Sequence, residues 1–136
     1  MTSIGDPELS TRSKVLVADD ERVIADTLAI ILNQSGFEAT AAYSGEEVLK
    51  IANTLQPDIL VTDVVMFGMN GIEAGIQVRE MLPSCRVILL SGQSIAAQLL
   101  DEAREQGHEF EIIAKPLHPN QLIAFLRGDN ALQDSA

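Results

Sequence analysis

Five short runs of β-branched and small apolar residues recur along the chain, each followed by a longer stretch with helical spacing, and this alternation constrains the fold most. It argues for successive βαβ units and a parallel sheet. The runs predict strands at Lys14 to Ala18, Glu38 to Ala42, Ile59 to Thr62, Arg86 to Leu90 and Glu111 to Ala114. Val15-Leu16-Val17, Ile59-Leu60-Val61 and Val87-Ile88-Leu89-Leu90 are continuously apolar, as central strands covered by helices on both faces are. The second run, with Ala39, Thr40 and Ala41, is weaker and suits a sheet edge.

Between the runs, Ile24, Leu28, Ile31 and Leu32 fall on one helical face, and Gly36 is placed to end that helix. Further helices are predicted over Glu46 to Leu55, Ile72 to Leu82, Ile95 to Gln106 and Asn120 to Arg127. Ser44 reads as the N-cap of the second helix, with Glu47 three residues on completing a capping box. Pro119 suits the first turn of the last, where its missing N–H loses nothing. The 136 residues are enough for one domain with a core of its own, placed at 14–127. Segments 1–13 and 128–136 read as flexible ends.

Composition excludes several classes. With 46% hydrophobic and 21% charged residues, the chain is neither a disordered nor a membrane-embedded type. No apolar run approaches the roughly 18 residues that span a bilayer. Asp6, Glu8 and Arg12 interrupt the first 13 residues, which therefore do not read as a signal peptide, and a cytoplasmic location is expected. Cys85 is the one cysteine, which excludes an internal disulfide, and its place before the run at 87–90 suits a buried, inert thiol. A formal charge of −11 opposes binding to nucleic acid or an anionic membrane.

In an open parallel sheet, functional residues gather at the carboxyl ends of the strands. Here those ends carry Asp19-Asp20, Asp63, Ser91 and Lys115-Pro116. Asp19 and Asp63 are 44 residues apart, two βα units, while Asp63 to Ser91 and Ser91 to Lys115 span 28 and 24 residues, one unit each. A strand order of 2-1-3-4-5 makes strands one and three neighbours and brings all five side chains together. Three close carboxylates repel one another unless a cation sits among them, and hard oxygen ligands select Mg2+. An acidic cluster beside a lysine and a hydroxyl suits phosphoryl chemistry, with Asp63 as nucleophile and Ser91 and Lys115 stabilising the transferred group. Taken singly, each residue has an ordinary structural role: an acidic pair at a helix start, a turn serine, a surface Lys-Pro turn. Five suitable residues at the same ends of adjacent strands are an improbable accident of turn chemistry.

The sequence resembles the receiver domain of bacterial response regulators over residues 14 to 127. VLVADDE resembles the family's first strand and acidic pair. PDILVTDVVMFGMNGIE resembles its phosphorylation segment with Asp63 at the acceptor position, VILLSG its strand ending in Ser or Thr, and IIAKPL its strand ending in Lys-Pro. The resemblance implies the flavodoxin-like (βα)5 doubly wound fold, a five-stranded parallel sheet of order 2-1-3-4-5. It implies that Asp20 and Asp63 ligate Mg2+ directly, with Asp19 acting mainly through water and the Val65 carbonyl as a backbone ligand. It also implies a cis bond before Pro116. The expected phosphodonor is a histidine kinase or a phosphotransfer protein carrying phosphohistidine.

Three positions depart from the family pattern. Phe67 stands where the family usually has proline. Ile112 stands where an aromatic residue usually reports on the Ser or Thr, and GHEF adds what looks like one residue, placing Phe110 slightly early for that role. These departures bear on output more than on phosphoryl acceptance. In the family, positions 65 and 93 border the path of the hydrolytic water, so apolar Val65 is expected to lengthen the lifetime of the acyl phosphate, with Gln93 a partial substitute.

Because the sequence ends soon after the fifth predicted helix, no output domain is expected, and the effect must pass through another protein or a phosphorylation-dependent dimer. The contact candidates are Ile95, Leu99, Ile112 and Phe125. Two other readings compete with the signalling one. A Mg2+-dependent phosphatase of this type needs a second acidic residue two positions after the nucleophile, where Val65 stands. A phosphorylation-independent interaction module is the other.

Overall fold

β-Branched side chains pack well on a pleated surface, and the five runs rich in them or in small apolar residues become the five strands. The computed structural model describes residues 12–92 and 94–128. The expectations on 1–11, on Gln93, on the Ile95 side chain and on the tail beyond 128 lie outside the described residues. Along the chain the elements are β1 (Lys14–Ala18), α1 (Arg22–Gln34), β2 (Glu38–Ala42), α2 (Gly45–Leu55), β3 (Ile59–Asp63), α3 (Gly71–Met81), β4 (Arg86–Ser91), α4 (Ser94–Glu105), β5 (Glu111–Ala114) and α5 (Pro119–Leu126). The sheet is parallel throughout, in the order β2-β1-β3-β4-β5.

β3 and β4 each run one residue further than the sequence suggests. The pairing includes Asp63 opposite Leu90 and Ser91 opposite Ala114, so both residues belong to the ladder rather than to the following loops. Their backbones are thereby pinned, and only their side chains are left to the site.

The sheet is sandwiched between two apolar layers. On one face Leu16, Leu60, Val87 and Leu89 meet Val48 and Ala52 of α2, Ile72, Ala74 and Val78 of α3, and Ala96, Leu100 and Ala103 of α4. On the other, Val15, Val17, Val61, Ile88 and Leu90 meet Leu28 and Leu32 of α1 and Leu122, Ile123, Phe125 and Leu126 of α5. Phe125, a contact candidate on sequence, is thus buried core. Cys85 is also buried, and loss of hydration pushes its thiol up to about 11, consistent with an unreactive side chain.

Helix ends follow local chemistry. Gly36, with φ of 99°, lets α1 stop in a turn where the Phe37 N–H reaches the Leu32 carbonyl at 3.1 Å. Ser44 caps α2 by accepting from the Glu47 N–H at 3.0 Å. The expected capping box is incomplete, because Glu47 Oε1 accepts from the Tyr43 N–H, one residue earlier than the cap. A full box forms instead at α3, where Asn70 and Glu73 exchange both bonds. At the other end, Ser13 O accepts from the Glu38 N–H and the Arg12 guanidinium donates to the Gly36, Asn33 and Phe37 carbonyls, so these two residues of the expected flexible segment are bonded to the domain.

Candidate functional site

The carboxyl ends of β1, β3 and β5 bring together the Asp19, Asp20, Asp63 and Lys115 side chains that the sequence places there. Asp19 leaves β1 with its backbone still paired, its N–H donating to Ala42 O at 3.2 Å, so its side chain is held inward at 2% exposure. Asp20 turns outward and is exposed. Asp63 closes β3 with 14% of its side chain exposed. One oxygen from each of the three carboxylates can be chosen so that all lie within 4.8 Å of one another.

Among the described residues, one cation faces this group. Lys115 Nζ stands 3.2 Å from Asp63 Oδ2 and 4.0 Å from Asp19 Oδ2. Its backbone N–H donates to Ser91 O at 2.9 Å, which seats Lys115 directly after the β4–β5 ladder, and its bond to Pro116 is cis. Gly92 makes room for the lysine stem, because a Cβ at 92 would meet Lys115 Cβ at 2.8 Å. Ser91 is half-buried at the end of β4, where its backbone pairs with Ala114 of β5.

Asp19 is the unusual carboxylate. Oδ1 accepts from the Glu21 N–H at 2.9 Å, but Oδ2 is buried and has no hydrogen-bond partner among the described residues. Burial pushes its carboxyl up from the ordinary range; the Glu21 N–H opposes this, Asp63 adds to it, Lys115 opposes it, and Asp20 adds to it. A carboxyl raised in this way binds more protons folded than unfolded, so metal-free protein loses stability as the pH rises through the window between the unfolded and the folded pKa. Asp19→Asn is therefore expected to raise the urea midpoint of chelator-treated protein at pH 7, with the gain shrinking toward about pH 4. A lower midpoint at pH 7 would contradict the burial argument.

The loop from β3 to α3 wraps over the cluster. Gly71 starts α3 with its N–H donating to Val64 O at 2.8 Å, and a Cβ there would lie 2.0 Å from Asp63 O. Thr62, fully buried, donates to the same carbonyl at 3.0 Å. Neither constraint follows from the sequence reading. Val65 is half-buried against the α2–α3–α4 layer. Phe67 is 89% exposed, and its N–H donates to Asp20 Oδ2 at 3.0 Å.

The two remaining candidates lie apart from the cluster. Ile112, 40% exposed, stands on the edge strand β5 opposite Leu89. Phe110 precedes β5 near the Val87 end of β4, away from Ser91. Its ring lies under the Arg79 guanidinium at 4.1 Å, over the gap that Gly75 leaves in α3.

A family model described as the response regulator receiver domain matches residues 15–127 of this chain. The chain belongs to that family. The receiver domain is 29% identical over 114 residues to the chemotaxis protein CheY of Thermotoga maritima, covering 83% of this chain and 93% of that one. It is 28% identical to the DNA-binding response regulator MtrA of Mycobacterium tuberculosis, and spans half the length of that protein. Among solved structures, chemotaxis protein CheY4 of Vibrio cholerae superposes with a TM-score of 0.75 at 26% identity, over 87% of this chain and 98% of that one. The receiver domain is thus a signalling module of two-component systems, of a kind that interacts with histidine kinases or phosphotransfer proteins.

The donor set fits a hard divalent cation: three carboxylates in reach of one another, one of them with an unpartnered buried oxygen. No helix among the described residues is long and apolar enough to cross a membrane.

Proposed function

We propose that this receiver domain accepts a phosphoryl group on Asp63 from the phosphohistidine of a histidine kinase or phosphotransfer protein, in a Mg2+-dependent reaction in the cytoplasm. The observation that carries the reading is the setting of Asp63. Its carboxylate is accessible, 3.2 Å from an ammonium, and beside a second carboxylate whose buried oxygen has no hydrogen-bond partner among the described residues.

An ionised Asp63 oxygen attacks phosphorus, and a P–O bond forms as the P–N bond to the donor imidazole breaks, its electron pair leaving on nitrogen. Lys115 balances the charge on the oxygens of the transferred group, and the Ser91 hydroxyl offers them a hydrogen bond. Asp19, Asp20, Asp63 and the Val65 carbonyl are the groups that would hold Mg2+. When bound, the cation shields the carboxylates from one another and shares its remaining positions with phosphate oxygens. Val65 and Gln93 are the residues proposed to set how long the acyl phosphate survives. The functional unit is taken as 14–127, signalling through protein contacts or dimerisation in which exposed Ile112 takes part. Phe110 and Phe67 complete the set of residues proposed for output.

Acetyl phosphate with Mg2+ tests the reading by intact mass. The expected result is one added phosphate, absent with chelator and absent in Asp63→Ala. Steady release of inorganic phosphate would favour a phosphatase, and no reaction would favour a phosphorylation-independent module.

A further inference from the structure

The backbone of Phe67, rather than its ring, is tied to the acidic cluster. The ring projects to solvent, while the N–H donates to Asp20 Oδ2 across 47 positions of sequence, joining the loop after β3 to the loop after β1. It is the one hydrogen bond to the Asp20 carboxylate among the described residues. An exposed aspartate on a loop otherwise samples several rotamers, and ordering it when a cation binds costs conformational entropy. Here the carboxylate is already held where an oxygen lies within 4.8 Å of those of Asp19 and Asp63. Gathering like charges in this way is unfavourable in the absence of a cation. A hydrogen bond that maintains the gathering therefore points to a ligand for the cluster.

We infer that the Phe67 N–H is a positioning donor, which fixes Asp20 as a cation ligand before the cation arrives. This rests on the Mg2+ reading above and deepens it. The requirement at position 67 is a backbone N–H, which proline lacks. The departure from the proline usual in the family thus has a physical consequence: this chain has a contact to its acidic pair that proline at 67 could not make. Linkage makes the effect reciprocal. Cation binding at Asp20 strengthens the hold on the loop that carries Val65, so the Phe67 amide exchanges with solvent more slowly when Mg2+ is bound.

The test is calorimetric Mg2+ binding to the full chain in three forms. These are wild type, Phe67→Ala, and a backbone ester at position 67 in which phenyllactic acid replaces phenylalanine and deletes the N–H alone. Phe67→Pro is the encoded form of the same deletion. The ester and the proline variant are expected to bind Mg2+ about tenfold more weakly, the lower end of what losing a hydrogen bond that orients a ligand costs, while Phe67→Ala binds like wild type. Amide exchange at residue 67 should slow on adding Mg2+ in wild type and Phe67→Ala alike. Unchanged affinity in the ester, or an equal loss in Phe67→Ala, would overturn the inference and leave the Mg2+ reading standing. Failure of the wild type to bind Mg2+ would overturn both.

Discussion

Gly71→Ala is expected to destabilise the domain by about 3 kcal/mol, the upper range for forcing extra atoms into a packed site, and to lower its urea midpoint by about 1.5 M at a typical slope. The added Cβ would stand 2.0 Å from Asp63 O and 2.9 Å from Asp63 C. Those are backbone atoms of a residue inside the β3–β4 ladder, so no side-chain rotation relieves the overlap. Either α3 withdraws, breaking the bond from the Gly71 N–H to Val64 O, or the end of β3 shifts and takes the Asp63 carboxylate out of line with Lys115. A midpoint indistinguishable from wild type would show that the loop gives way more easily than these contacts allow.

Lys115→Met is expected to slow phosphorylation by acetyl phosphate by about 100- to 1000-fold, the usual effect of removing one group that stabilises developing charge. Methionine keeps the length of the stem that passes Gly92 and removes only the ammonium. The consequence for the cation has the opposite sign. Lys115 lies within 4.0 Å of two of the carboxylates, so its loss removes a positive charge that competes with Mg2+ for them. Mg2+ affinity, read by calorimetry, should therefore hold or rise while the rate of phosphorylation falls. A parallel fall in both would indicate a disrupted site and no specific role for the ammonium in phosphoryl transfer.

The fold was legible because the strands stand out as short apolar runs between helical stretches, and the spacing of the acidic, hydroxyl and basic residues agrees with the sheet order that the family resemblance implies. Element ends were less so. Asp63 and Ser91 join the ladder through backbone pairing, which no side-chain pattern reports. The α5 cap is His118, whose Nδ1 accepts from the Asn120 N–H, a residue outside the usual capping set.

The composition of the site was legible for a similar reason, since its residues terminate strands. Its asymmetry was not. Asp19 and Asp20 are neighbours in sequence, yet continued pairing to Ala42 holds the first inward while the second turns to solvent. The importance of Gly71 and Gly92 depends on a missing Cβ, which matters only once the Asp63 carbonyl and the Lys115 side chain lie opposite. The bond from Phe67 to Asp20 is made by a main-chain N–H that every residue except proline carries, so the sequence shows a departure from the family pattern at 67 and nothing of the contact made there.

The most direct measurement traps the acyl phosphate and locates it. After reaction with a phosphodonor and Mg2+, borohydride reduces an aspartyl phosphate to homoserine, and peptide mass mapping reads its position. Homoserine at position 63 alone, absent when Mg2+ is chelated, is the expected result. Reduction at Asp19 or Asp20, or a phosphate carried on Ser91 that resists borohydride, would contradict the assignment of Asp63 as the phosphoacceptor.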